Sequence, residues 1–488
     1  MSNLSGVDAK IKCFVPLIVF LFSFCSCMPF APSSREKVPQ VLPSDYVVSN
    51  NTSVEMPEKW WHTFNSTEIN TLLKSLWQGN LKLEQAWARM EQARQTAKKS
   101  KSSFYPGLNA QAGYSYTREH RESTSPRVDS DTNSKSFSLG LALNYELDLW
   151  GKIRSQARSG SYEYRASRQD LYATALSLSA QAVKYWITIR SLQKRQQVLN
   201  SKLQVYEKLL RLTRERYLNA ISPGTEVLDI RQTLSRTRSQ LPKLVSREQE
   251  NRHALAVLLG KSPGAELGEI NSELPRIPKV PQEGLKAGIL YNRPDIKAAW
   301  MRIKASDWSV AAARADRLPN ITLSANPKYM AEELSSILDN WMISLAADLS
   351  LPLVDGGRKR AEVKRIRTKL RERIAAYKQT VLTAVQEVED ALTLITGQEK
   401  KIEDLIRQKR SVQSGLELTR LRYKNGMTSY TAVLNKKQSL LGVQENIIQA
   451  KTDALRYRVD LYKAAGTDIR KQITKGKKQV GGGKGTDP

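Results

Sequence analysis

The sequence predicts a mainly α chain with a small transmembrane β part: tandem-duplicated long α-helical hairpins plus four β-strands. Three observations carry that expectation. Leu, Ala, Arg, Lys, Glu and Gln dominate and only 7% of the residues are aromatic, a mixture that favours long helices over sandwiches or disorder. The two halves share one plan: a helix ending in an alternating strand pair, then a very long helix, a short turn and a second long helix. After the leader, no segment reaches the roughly 20 apolar residues of a membrane helix, so any bilayer crossing must use strands.

The chain opens with an address. Lys10 and Lys12 precede the apolar stretch Phe14 to Phe24, too short to span a bilayer but suited to a secretory signal, so residues 1–27 read as a signal peptide. Cys13, Cys25 and Cys27 all lie within it. The exported chain therefore has no internal disulfide, and its stability must come from packing. Phe24-Cys25-Ser26-Cys27 resembles a bacterial lipobox, which makes Cys27 a lipidation candidate; plain cleavage nearby is the alternative. Residues 28–65 form an N-terminal extension.

The first repeat is assigned to 66–265. Its helix, from about Ser66 to Ser103, breaks at Phe104-Tyr105-Pro106-Gly107, because proline and glycine end helices. Strands are expected at about 108–116 and 137–147, around a polar loop from Thr117 to Lys135. Leu108, Ala110, Ala112, Tyr114 and Tyr116 alternate with Asn109, Gln111, Gly113 and Ser115, the period of a two-sided strand. After a linker at 266–293, the second repeat (294–466) puts a helix from about Asp295 to Arg317, a break at Leu318-Pro319-Asn320, and strands at about 320–329 and 342–351. Apolar residues outward and small or polar residues inward suit a membrane barrel, although half-buried soluble hairpins read alike. Four strands cannot close a barrel, since even the smallest needs about eight. Three copies sharing one barrel of about twelve strands, a homotrimer, is the simplest closed solution.

The long helices come next. From Val363 through Ile366, Leu370, Ile374 and Tyr377 to Leu416, apolar residues recur in steps of three and four, the seam of coiled-coil packing. Leu199, Leu203, Tyr206, Leu210 and Tyr217 continue that pattern in the first half. The hairpins are placed at about 152–260 and 358–465, with turns at Asn219 to Gly224 and at Asn425-Gly426, where backbone geometry ends the helix. Roughly 65 helical residues at about 1.5 Å each span on the order of 100 Å.

Charge and chemistry exclude other classes. The net charge is +29, but bases are spread along the helices with acids between them, and the one true run lies in the tail at 467–488; with an export leader this disfavours a nucleic-acid partner. His62, His120 and His253 lie far apart, and no HExxH, CxxC or GxSxG pattern occurs, so neither catalysis nor a metal or other cofactor has a visible home.

Several strings now converge. Glu55-Met56-Pro57-Glu58-Lys59-Trp60-Trp61, Tyr145-Glu146-Leu147-Asp148-Leu149-Trp150-Gly151-Lys152, Arg293-Pro294-Asp295-Ile296 and Leu351-Pro352-Leu353-Val354-Asp355-Gly356-Gly357-Arg358 follow in order. In this order they resemble the TolC-like outer membrane efflux protein family, in its lipoprotein branch, over nearly the whole exported chain. The resemblance implies a periplasmic α-barrel below a shared, trimeric 12-stranded barrel. It also implies passive conduction of small molecules from an inner-membrane pump and a periplasmic adaptor, in contact with outer membrane lipid. In such proteins the hairpin tips close the pore. Carried over by position, Tyr217 and Glu226 fall on gate positions of the first tip, and Tyr423 and Gly426 on the second tip signature. The second tip departs: Ala432 and Asn435 stand where relatives place acids, and Thr428 where they place a base, which implies weaker cation preference at the mouth with Glu226 the one acidic candidate. Glu226 merely favouring its helix start is the plainer alternative. The rival reading is a secreted coiled-coil spacer or adhesin, which leaves the strand pairs without a purpose.

Overall fold

The computed structural model describes residues 28–32, 57, 59–121, 130–268, 270, 273–278 and 287–467. The signal peptide, Cys27 and nearly all of the basic tail lie outside them. In chain order the helices are α1 (Thr67–Gly79), α2 (Leu81–Ser102), α3 (Lys152–Leu218), α4 (Gly224–Arg238), α5 (Gln240–Leu258), α6 (Pro294–Ala315), α7 (Arg358–Lys424) and α8 (Tyr430–Ala464). The strands are β1 (Gly107–Arg121), β2 (Ser130–Leu147), β3 (Asn320–Ala331) and β4 (Trp341–Ser350).

Matching lengths reveal the duplication. α2 and α6 each have 22 residues, and α3 and α7 each have 67. One constant offset maps α3 onto α7, Gly224 onto Tyr430 at the start of each return, and Leu258 onto Ala464 at its end. The first return differs in being broken at Ser239, whose φ of −65° and ψ of −14° belong to both helices it joins. Pro242, three residues on, has no N–H to donate and supplies the cause of the interruption. The single helix expected from Ser66 to Ser103 is likewise two: extended Asn80 (ψ 117°) separates α1 from α2, and its side chain takes over the capping of α2 by accepting from the N–H of Leu83 at 2.8 Å.

Two compact units result. The first is built on Met90–Ser167 and Ala299–Tyr377 and holds one antiparallel sheet, order β1-β2-β3-β4. Residues opposite one another share a face. Leu108 faces Leu143, Tyr114 faces Phe137, Tyr145 faces Leu323 and Tyr329 faces Trp341, whereas Gln111 faces Gly140, Asn144 faces Ser324 and Thr322 faces Asp348. One face is thus apolar and the other small or polar, yet the apolar face is uncovered: Leu108 is 62% exposed, Trp341 68% and Leu345 77%. β1 and β4 each pair along one side only. The ladder also runs beyond the expected strands, because Thr117 pairs with Ser134 and His120 with Asp131. Much of the segment read as loop is therefore strand: a polar hairpin satisfies its backbone groups without needing an apolar face.

Helix starts are fixed just below the sheet. Asp148 accepts from the N–H groups of Ile153 and Arg154 at 2.9 Å each, and Asp355 accepts from those of Gly357 and Lys359 at 3.0 Å; both carboxylates satisfy orphan first-turn donors. Asp316 at the end of α6 receives Lys152 at 3.1 Å and Lys359 at 3.5 Å, tying both long helices to one carboxylate.

The second unit is built on Arg168–Ala298 with 59–89 and 378–467. Trp60, fully buried, stacks on Tyr462 at 5.5 Å and meets Phe64 edge-on at 6.2 Å. Here the repeats share a further device. The Asn80 amide donates to the Leu258 carbonyl at 2.5 Å and the Arg293 guanidinium to the Ala464 carbonyl at 2.8 Å, so each return ends on a side chain offered by the segment before the paired short helix. Arg293, 6% exposed, is also paired with Asp295 and Glu387 at 2.7 Å each.

Candidate functional site

The turns joining α3 to α4 and α7 to α8 are built alike from the backbone up. In the first, the N–H of Ile221 donates to the Arg216 carbonyl at 2.8 Å and that of Ala220 to the Tyr217 carbonyl at 3.0 Å. In the second, Met427 donates to Arg422 at 2.8 Å and Gly426 to Tyr423 at 3.0 Å. Each is a Schellman closure, which requires a left-handed residue just past the helix. Gly426 supplies it at φ 71°, and Ala220 at φ 55°.

Side chains then distinguish the tips. Tyr217 lies against Gly224, where a Cβ would come within 3.2 Å of its ring. At the equivalent position the second tip has Tyr430, whose ring sits 5.1 Å from that of Tyr423. In the first tip buried Ser222 donates to the Glu226 carboxylate at 2.5 Å. In the second, Thr428 and Ala432 occupy those places, and the hydroxyls of Ser429 and Thr431 bond each other instead at 2.5 Å. Asn435 is exposed on the first turns of α8. The structure thus brings Tyr217 beside Gly224 and Glu226 beside Ser222, while Tyr423, Gly426, Thr428 and Asn435 lie together on the other hairpin. Sequence reading passed over Ser222, Tyr430 and Asp229. Asp229 is an exposed acid at the position Asn435 fills in the second repeat, so Glu226 is not the one acid left at the tips. The constant repeat offset was the signal that points to all three.

Behind the tips the outgoing helix of one repeat packs on the return of the other. Val205 and Leu209 of α3 form a buried cluster with Leu434 and Leu441 of α8, flanked by Tyr206 and Ile230. Burial pushes the Tyr206 phenol up against the opposing hydrogen bond from Gln438. Further along, Glu445 receives Lys202 at 2.6 Å and Arg195 at 3.3 Å. Burial would raise this carboxyl, but the two cations outweigh it and hold it below the usual carboxylate range. The seam is buried and ion-paired, whereas the tips expose Leu218 (71%), Ile221 (65%) and Met427 (65%) to solvent. Such unshielded apolar residues mark a surface that something else covers.

Among the described residues, no cluster of His, Cys, Asp or Glu could hold a metal ion, and no helix is long and apolar enough to cross a membrane. The model of the outer membrane efflux protein family matches residues 72–261 and 287–467. The chain belongs to that family. It is an outer-membrane channel component of solute efflux, extending into the periplasm. Among its relatives, the pyoverdine export outer membrane protein OpmQ of Pseudomonas aeruginosa is 28% identical, covering 86% of this chain and 90% of its own length. The probable outer membrane lipoprotein SilC of Salmonella typhimurium is 25% identical, covering 91% of this chain and 96% of its own. The solved structure of the outer-membrane channel OprN superposes with a TM-score of 0.77 at 25% identity, over 88% of this chain and 99% of its own.

Proposed function

We propose that three copies of this efflux protein close their sheets into one membrane barrel and their helical hairpins into one periplasmic tube. Small molecules then pass from an inner-membrane pump, through a periplasmic adaptor, to the exterior. The protein catalyses no reaction and takes no cofactor, because energy is supplied by the pump. The observation that carries this reading is the four-stranded sheet with two unpaired edges and an uncovered apolar face. Open strand edges cannot remain in lipid, where each unsatisfied backbone group costs several kcal/mol, and four strands are too few to close alone.

Gating falls to the tips. Tyr217, Glu226, Tyr423, Gly426, Thr428 and Asn435 hold the two hairpin ends, and the exposed Leu218, Ile221 and Met427 offer the apolar surface that copies bury on closing and an adaptor covers on opening. Acylation at Cys27 adds a second hold on outer membrane lipid; SilC's description as a lipoprotein supports it.

Light scattering of the detergent-solubilised protein, corrected for bound detergent, tests the assembly. The expected mass is that of three chains, and [3H]palmitate incorporation lost in Cys27→Ala reports the anchor. A monomer that stays in solution without detergent contradicts the shared barrel and favours a coiled-coil spacer.

A further inference from the structure

The charge that looks dispersed along the sequence is concentrated by the fold. From Arg358 to Arg373, α7 carries nine Arg or Lys and two acids, Glu362 and Glu372. Val363 and Ile366 are buried and set the packed side of the helix, which lies along α6 through the Lys359–Asp316 pair and the Trp300–Tyr377 contact at 5.7 Å. Arg360, Lys364, Arg367 and Arg371 follow in steps of four, three and four, so they form one row on one flank. All four are exposed, and none has an ion pair among the described residues. The opposite flank holds Arg358, Lys369 and Arg365, the last paired with Glu362 at 2.7 Å. Both flanks are basic. In a tube of single helices one flank of α7 must face the lumen, so the wall next to the barrel is basic whichever way the helix turns.

The available neighbours do not neutralise the row. α2 flanks the first strand as α7 flanks the last, and its end carries Arg94, Lys98, Lys99 and Lys101. Its acid, Glu91, is already bound by Gln95 and Arg94. A second copy therefore brings more positive charge. Lipid headgroups reach only part of it: the interfacial layer is roughly 5–8 Å deep on each side of the bilayer, whereas Arg360 to Arg371 covers roughly 16 Å of helix at about 1.5 Å per residue. Row members stand about 6 Å apart, within the Debye length of about 10 Å at 0.1 M salt, so their potentials add.

We infer that this channel selects anions over cations, that the Arg360-Lys364-Arg367-Arg371 row sets the preference, and that small anionic solutes are the cargo class its wall favours. The inference rests on the shared-tube reading, and one experiment separates the two. The full-length protein and a gate-loosened Tyr217→Ala/Tyr423→Ala variant are inserted in planar bilayers, and reversal potentials are read under a tenfold KCl gradient. The expected chloride-to-potassium permeability ratio is about 3 or more near 0.1 M salt and falls toward unity near 1 M, where the screening length is about 3 Å. Neutralising the row (R360Q/K364Q/R367Q/R371Q) is expected to bring the ratio to about 1 and reversing it (R360E/K364E/R367E/R371E) below 1; R358Q/R365Q/K369Q reports the other flank. A potassium-selective wild type, in which Glu226 and Asp229 outweigh the row, overturns the inference. So does a ratio that the row's variants leave unmoved, whether the other flank's variant moves it or not; a ratio moved by neither is the outcome if the bases only meet lipid. Absence of any conductance in the gate-loosened variant counts instead against the conduit itself, and against the inference with it.

Discussion

Ala220 and Gly426 occupy the same left-handed backbone position at the ends of two helices of equal length, at φ 55° and 71°. Glycine adopts that conformation freely, whereas alanine bears a steric cost of roughly 1–2 kcal/mol, partly offset by its stiffer unfolded chain. Ala220→Gly is therefore expected to strengthen the first turn by a few tenths to about 1 kcal/mol, and Gly426→Ala to weaken the second by a similar amount. Amide hydrogen exchange at Ile221 and Met427, whose N–H groups close the turns, reads both; equal protection in wild type and variants contradicts this.

Glu226 is expected to act as a latch through Ser222, with which it shares a 2.5 Å hydrogen bond. Glu226→Ala and Ser222→Ala should each raise channel opening several-fold in bilayers. If only fold stability changes and opening frequency does not, the carboxylate serves the start of α4 and no more.

Arg293 holds Asp295, Glu387 and the Ala464 carbonyl from a buried position. Burial works against its charge, but the partners outweigh burial and raise its pKa further. Removing one partner of a buried pair costs about 3–5 kcal/mol, and because both acids remain partly exposed the expectation for Arg293→Met is about 2–3 kcal/mol. Lysine recovers less than half, having no fork to reach three acceptors. Urea denaturation in detergent, followed by near-ultraviolet circular dichroism, measures the loss; a lysine variant as stable as wild type sinks the argument.

Glu445 carries an acid-side prediction. Because Lys202 and Arg195 hold it below the usual carboxylate range, its contribution to the α3–α8 seam is complete above the unfolded value of about 4.3 and is lost as pH falls through the lower folded value. Stability should be flat from pH 7 to about 5 and decline below about 4. Glu445→Gln should lower the plateau and flatten that decline, and an unchanged acid slope would show that other carboxylates govern it.

How much of this was legible before the structure depends on the periodicity each element carries. The alternation of Leu108 to Tyr116 and the steps from Val363 to Leu416 declared strand and helix because both faces differ in polarity. Thr117 to Arg121 has the pattern of a loop because its strand is polar on both sides, and pairing with Ser130 to Ser134 is a tertiary fact. The breaks at Asn80 and Ser239 are masked because apolar periodicity continues across them; the side-chain cap of Asn80 reveals the first, and Pro242 is the sequence signal for the second. At the tips, Gly426 is visible through turn chemistry and Tyr217 through the family resemblance, whereas Asp229 and Tyr430 emerge only once the repeats are aligned by their equal helices. The basic row on α7 was hidden in an average: charge looked mixed along the chain until Val363 and Ile366 fixed which sides of the helix were free.

The most direct test of the shared barrel is disulfide trapping between the two free sheet edges. With Cys13, Cys25 and Cys27 replaced by Ser, single cysteines are placed at alternating positions of β1 (Gln111, Gly113, Ser115) and of β4 (Ser344, Ala346, Asp348), combined pairwise, and oxidised in outer membranes. β1 of one copy beside β4 of the next predicts that at least one pair yields covalent dimers and trimers on denaturing gels, with trimer the largest product and single-cysteine controls monomeric. No cross-link from any pair, or a ladder extending past three chains, would contradict a closed three-fold barrel.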